Sequence, residues 1–246
     1  MTALGKTRRM AKPATRPKDR KTAVAAKQAR GRPAKPAQRP RDAAATAERI
    51  LRSAIAEFAE NGYAGARIDA IARGANANMR MLYHYFGSKD ALYIRVLETV
   101  FNDIRVQEQR LKLNNMAPLE AMIKLFDFTY SHFAANPLFI RILASENLLG
   151  AKFLTRSQRV STLSSPLLLA IKEVLSRGEK EGVFRRGIDP LQLYVSMVAM
   201  SYVHISNAPT LSHLFGANLS SPSWKIQRRR HATEMMLAFL GFVPSR

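Results

Sequence analysis

The sequence predicts an all-α protein on three observations. Apolar residues recur at i, i+3 and i+4 in most segments from residue 42 onward, the spacing that lines one face of a helix. Prolines follow small or polar residues at Ala117-Pro118, Asn136-Pro137, Ser165-Pro166, Asp189-Pro190 and Ser221-Pro222. Proline suits the first position of a helix, where its missing N–H would have no partner anyway, so these pairs mark helix starts, with Pro166 alternatively a kink in one longer helix. The chain shows no β-hairpin signal and no Val/Ile alternation between turns.

With 246 residues, 47% of them apolar, the chain is long enough for one or two domains with a core. No apolar run approaches the roughly 20 residues of a membrane span, and the N-terminus lacks the apolar region of a secretory signal, so a soluble, cytoplasmic protein is expected. The absence of cysteine excludes disulfides, thiolate zinc sites and cysteine nucleophiles. The net charge of +21 is unevenly placed: residues 1–41 hold 14 Lys/Arg and one Asp, net +13, which leaves +8 for residues 42–246. This tail, rich in proline and nearly devoid of large apolar residues, cannot offset chain entropy by burial, and is expected to be disordered when alone. Within it, Arg30-Gly31-Arg32-Pro33 resembles the core of an AT-hook, whose glycine lets the backbone approach the floor of a narrow A·T minor groove while both guanidiniums enter it. The other reading is a polycationic arm that binds phosphates without sequence preference.

Residues 42–60 form the first expected helix, with Ile50, Leu51, Ala54, Ile55, Phe58 and Ala59 on one side and Asn61-Gly62 as its stop. A second, short helix follows, on which Ile68, Ile71 and Ala72 make an apolar stripe. Residues 74–78, Gly-Ala-Asn-Ala-Asn, break the pattern, and Asn78 is a good N-cap for a third helix. That helix should turn Leu82 and Phe86 inward and Met79, Arg80, Tyr83 and His84 outward. Two short helices joined by a small-residue turn form a helix-turn-helix pattern, and the outward face suits DNA.

In this stretch the chain resembles the TetR family of bacterial transcriptional regulators. The resemblance rests on Gly62-Tyr63, Ile71-Ala72, Leu82-Tyr83-His84-Tyr85-Phe86 and Ser88-Lys89-Asp90, in the family's order and spacing over roughly fifty residues. Two departures stand out: Ala66-Arg67 where the family has a small hydroxyl residue, and Asn76-Ala77-Asn78 in place of a Gly-Val-Ser-like turn. The missing hydroxyl removes one phosphate contact, which Arg67 can replace.

Met79 and Arg80, with Met81 behind them, are the expected readers of base edges, since the N-terminal residues of such a helix enter the major groove, and Asn78 just before them is a further expected DNA contact. Arg80 leads because a guanidinium bonds both acceptors of a guanine edge. The resemblance places phosphate contacts at Tyr83, at His84 or Tyr85, and at Lys89; these set register and carry no sequence information. It also implies that the next helix, capped by Ser88 and carrying Leu92, Val96, Leu97, Val100, Phe101 and Ile104, is a lever linking the reader to the rest of the chain.

The expected domains are a disordered basic tail over residues 1–41, a helix-turn-helix DNA-binding domain over 42–88, and a helical ligand-binding and dimerisation domain over 89–246. In the last, residues 191–205 are apolar nearly all round, and residues 224–242 bring Met235, Met236, Leu237, Phe239 and Leu240. The resemblance implies that these two long helices pair with those of a second copy; one fully buried core helix is the alternative. Tyr130, Phe133, Phe139 and Tyr202 are candidate contacts to a small-molecule inducer, although such a stripe is more often simply core. Arg141 either meets an acidic ligand or pairs with a carboxylate such as Glu146.

An enzyme finds little support: there is no Gly-x-Ser-x-Gly elbow, no phosphate-binding Gly-rich loop and no His-Glu-x-x-His pair. The five histidines lack metal-ligand spacing, so neither metal nor cofactor is expected. The expected function is a ligand-responsive transcriptional repressor that binds a palindromic operator in double-stranded DNA as a homodimer, away from membranes. A non-specific architectural binder of A·T-rich DNA, driven by the tail, is the second reading.

Overall fold

The computed structural model describes residues 40–241, so the tail, with Arg30 and Arg32, lies outside the described residues. Among those residues there are ten α-helices, two single 3-10 turns and no strand.

Helix α1, Pro40–Gly65, buries Ile50, Ala54 and Phe58 completely, one residue per turn along a single face. The predicted stop at Gly62 is a bend instead: the residue takes φ 64° and ψ 179°, and helical structure resumes for one short turn. Only glycine adopts that conformation without strain. Helices α2, Ile68–Gly74, and α3, Met79–Phe86, pack across α1 through Ile71, Ala72 and Leu82. At Gly74 the backbone runs so close to α1 that a Cβ would stand 2.4 Å from Ser53 Oγ, which instead donates to the Ile71 carbonyl at 2.9 Å.

Helix α4, Lys89–Gln109, is capped by Ser88, whose hydroxyl accepts from Ala91 N at 3.1 Å. Its Leu92, Tyr93, Val96 and Leu97 are fully buried. After a 3-10 turn at Leu113–Asn115 come α5, Pro118–Ala135, and α6, Pro137–Leu148. A second 3-10 turn, Leu154–Arg156, leads into α7, Gln158–Lys180, followed by α8, Pro190–Ser206, α9, Ala208–Phe215, and α10, Pro222–Leu240.

Four of the five proline signals open helices, and Asp189 and Ser221 cap theirs by accepting from Gln192 N and Trp224 N. Pro166 lies inside α7, so the longer helix forms. The sequence reading missed α9, eight residues opened by Ala208-Pro209, because a helix that short carries too little periodicity to register.

Two apolar clusters hold the fold. One joins α1 to α4 with α6 and the second 3-10 turn, through Ile50, Phe58, Leu82, Tyr93, Phe139 and Phe153. The other joins α5, α7, α8 and α10, through Phe126, Ile171, Val174, Met197 and Met236. Packing thus runs without a break past residue 88: the first three helices share a core with α6.

Candidate nucleic-acid interface

The turn into α3 is built for a short, exposed helix. Asn76 takes the left-handed conformation, φ 48°, which Asn tolerates better than most residues. Asn78 Oδ1 then accepts from Met81 N at 2.9 Å, tying down a free amide of the first turn. Leu82 is fully buried, whereas Met79 is 51% exposed and Tyr83 46%. Arg80 and His84 share that exposed face, and Arg80 makes no ion pair among the described residues. Four side chains of mixed chemistry, one a free guanidinium, therefore stand on one face of a helix held from beneath.

The structure distinguishes His84 from Tyr85. His84 is exposed, while Tyr85 is half-buried against the first core cluster. Lys89 is engaged within the chain: its ammonium donates to the carbonyls of Ala66 at 2.7 Å and Ala64 at 3.4 Å, and lies 5.0 Å from the Tyr63 ring centroid. It closes the C-terminal end of α1, where a cation suits unpaired carbonyls. Before α2 the amide of Arg67 donates to Glu57 Oε1 at 3.0 Å, and no side chain caps that helix. The Arg67 side chain is exposed and pairs with Asp69 at 3.1 Å, an interaction that holds the Asp69 carboxyl below the usual range.

A second set of contacts fixes this surface to the remaining helices. Tyr63 OH donates to Asp90, which also takes a salt bridge from Arg156 at 2.9 Å. The Tyr63 hydroxyl is pushed up to about 12, chiefly by burial and then by the Asp90 carboxylate. Phe153 packs among these groups, and the buried Glu146 accepts from the amides of Phe153 at 2.7 Å and Leu154 at 2.9 Å.

Of the candidate inducer contacts, Phe133, Phe139 and Tyr202 come together. Phe133 stacks on Phe139 at 5.8 Å and meets Tyr202 edge-on at 6.1 Å. Phe139 also borders a recess of about 610 Å³ between α4 and the α5–α6 junction. Tyr130 stands apart from them, stacked at 5.0 Å on His204 and bordering a smaller cavity of about 110 Å³. Arg141 joins neither group. It lies on the surface, paired with Glu60 of α1; Glu146, the partner considered from sequence, is committed to the amides of the 3-10 turn.

Sequence reading overlooked a buried polar group between α4 and α8. Arg105, 8% exposed, lies 2.7 Å from Glu108, 4% exposed, and donates to Tyr194 OH at 2.9 Å. Burial pushes the Glu108 carboxyl up to about 7 against the opposing pull of Arg105. The signal was present: Arg105 follows Phe101, and Glu108 follows Ile104, at the helical interval of four, so both charges fall on the buried stripe. Helices α8 and α10, by contrast, present apolar residues to solvent, Leu191, Val195 and Val203 on one and Ile226, Met235 and Phe239 on the other. A fully buried core helix at residues 191–205 is thereby ruled out. Among the described residues no helix is long and apolar enough to cross a membrane.

The geometry defines a helix-turn-helix DNA-binding protein with an all-helical second part. The profile for bacterial regulatory proteins of the tetR family matches residues 50–96, and that for the Tetracyclin repressor-like C-terminal domain matches residues 118–236. The HTH-type transcriptional repressor NicS of Pseudomonas putida is 32% identical over 180 residues, 73% of this chain and 85% of NicS. The HTH-type transcriptional regulator RutR of Escherichia coli K12 is 29% identical over 172 residues, 69% of this chain and 78% of RutR. The solved structure of the ketosteroid transcriptional regulator KstR2 of Mycobacterium tuberculosis, 22% identical, superposes with a TM-score of 0.59 over 80% of this chain and 96% of its own, a likeness of fold. The chain belongs to the TetR family. It is a transcriptional regulator that binds double-stranded DNA as a dimer and responds to a small-molecule ligand.

Proposed function

We propose that this protein is a cytoplasmic repressor without enzymatic activity, in which α3 of each protomer of a homodimer reads one half of a palindromic operator. The observation that carries the reading is the outward face of α3, where Met79, Arg80, Tyr83 and His84 are exposed above a buried Leu82. Arg80 reads a guanine edge, and Tyr83 and His84 hold phosphates. Arg67 adds charge beside them, at the cost of loosening its exposed pair with Asp69. Lys89 acts one step back, holding the end of α1 against α4, with its remaining N–H available to a phosphate. Residues 42–88 form the DNA-binding domain, and residues 89–246 carry the ligand site and the dimer contact.

The exposed apolar stripes of α8 and α10 supply that contact, and the family, together with the repressor NicS among its relatives, supports a repressing role. Effector binding tilts α4 and spoils the spacing of the two α3 helices, to the extent that the effector prefers one spacing over the other.

Selection of bound sequences from random duplexes at physiological salt tests this, with the full chain beside a version starting at Arg41. Both should enrich one palindrome. Enrichment of A·T-rich DNA alone, lost with the tail, would replace this reading with that of an architectural protein.

A further inference from the structure

We propose that the recess at the C-terminal end of α4 binds a small organic monoanion, a carboxylate on an apolar body, and that this ligand is the effector. The inference rests on the reading of the protein as an effector-responsive repressor. The recess has a volume of about 330 Å³, within the size of small-molecule sites. Its lining divides by chemistry into polar Arg105, Glu108 and Lys112 and apolar Leu113, Leu167 and Ala170.

Arg105 is the group that asks for a ligand. Its two terminal nitrogens are engaged, Nη1 with Glu108 at 2.7 Å and Nη2 with Tyr194 at 2.9 Å. Its Nε is buried out of reach of solvent and has no hydrogen-bond partner among the described residues. A buried guanidinium N–H without an acceptor costs free energy; a carboxylate that displaces Tyr194 from the neighbouring Nη2 reaches Nε as well and bonds both nitrogens with charge assistance. Lys112, exposed and without an ion pair among the described residues, adds a second cation to the lining. Glu108 is the one acid there, so the lining keeps surplus positive charge that suits a monoanion, while the apolar residues accept the body of the ligand. The larger recess of about 610 Å³ has no such unpartnered buried group among its lining residues.

The site also gives the ligand a means of regulation. Arg105 belongs to α4 and Tyr194 to α8, so their bond ties the helix that follows α3 to a helix of the exposed apolar face. A carboxylate held by Nε and Nη2 together takes the place of Tyr194 on Nη2 and leaves Glu108 on Nη1. Occupation loosens the tie between α4 and α8, which is the differential interaction a ligand needs in order to shift a population.

Calorimetry on the full chain tests the proposal, with benzoate, phenylacetate and hexanoate as probes and their primary amides as neutral counterparts. At least one carboxylate should bind about tenfold more tightly than its amide, the worth of one hydrogen bond to a charged group. Arg105→Gln should abolish that preference, and Lys112→Ala, at an exposed position, should weaken carboxylate binding several-fold without disturbing the buried group. No preference for any carboxylate, or a preference that survives both substitutions, would overturn the proposal. Carboxylate binding through these residues with no change in operator affinity would uphold the chemistry of the site and overturn its role as effector site. Release of operator by an amide, with no carboxylate preference, would overturn the ligand class and leave the effector-responsive reading standing.

Discussion

Phe153 lies with its ring centroid 4.3 Å from that of Tyr63 and 5.1 Å from that of Tyr93. The residue that immediately precedes the second 3-10 turn thus completes the core beneath the helix-turn-helix, between the bend of α1 and the first turns of α4. The Asp90–Arg156 salt bridge and the amide bonds to Glu146 hold the same turn in place. Truncation to Phe153→Ala leaves a ring-sized cavity and should cost about 3–5 kcal/mol, read as a lower midpoint in urea denaturation. Phe153→Leu should cost distinctly less, and equal losses for the two would mean that ring packing is not what matters there.

Gly62 and Gly74 are both required, for different reasons. At Gly62 a side chain would be forced into a conformation of φ 64° and ψ 179° and would meet Ser145 Oγ at 3.3 Å, so Gly62→Ala should cost roughly 1–3 kcal/mol. At Gly74 the obstacle is the Ser53 hydroxyl alone. Gly74→Ala should therefore be destabilising by itself and partly rescued by Ser53→Ala. Additive losses in a double-mutant cycle at these two positions would remove the steric explanation.

Much of this was legible beforehand, and the reason lies in periodicity. Ile50, Ala54 and Phe58 declare the buried face of α1, and Asn78 and Ser88 announce two helix starts by the chemistry of their side chains. What was hidden depends on pairs distant in sequence. Arg141 has one carboxylate on its own helix, Glu146, yet meets Glu60, 81 positions away. Lys89 carries a phosphate-binding charge in the pattern, and only the fold places the carbonyls of Ala64 and Ala66 against it. Arg105 and Glu108 sit in the apolar register of α4, but their value as a site depends on Tyr194 of α8.

Arg80 and Tyr85 should separate in operator binding. On the proposed reading Arg80→Ala removes a bidentate base contact, and it should cost about 1–3 kcal/mol at fixed salt and relax the preference at one base pair. Tyr85→Phe should leave affinity and salt dependence unchanged, because the half-buried ring packs on the core. A mapped operator titrated with each variant decides. Undiminished binding by Arg80→Ala, or a weakened Tyr85→Phe complex, would move the reading residues along the helix.

His204 should make the fold sensitive to acid. It is 5% exposed, stacked at 5.0 Å on Tyr130 and 5.7 Å from Trp224. Burial first, and the nearby Arg228 second, hold its pKa down to about 4 against an ordinary value of 6.5. Between those values the unfolded chain binds more protons than the folded one, so stability is fully present above about pH 6.5 and falls as pH drops toward 4. The loss is on the order of 3 kcal/mol for a shift of this size. Glu108 acts in the opposite sense: with its carboxyl raised from 4.5 to about 7, the folded chain binds more protons in that window, and stability is lost as pH rises through it. The two contributions overlap, so a wild-type profile alone is uninformative and differences are needed. His204→Phe keeps a ring against Tyr130 and removes the titration. Relative to it, the wild-type protein should lose stability steadily in urea denaturation from about pH 6.5 down to 4. Relative to Glu108→Gln, it should instead lose stability as pH rises from about 4.5 to 7. Profiles for His204→Phe and wild type that run parallel across the acid range would mean that His204 is protonated as readily in the folded chain as in the unfolded one.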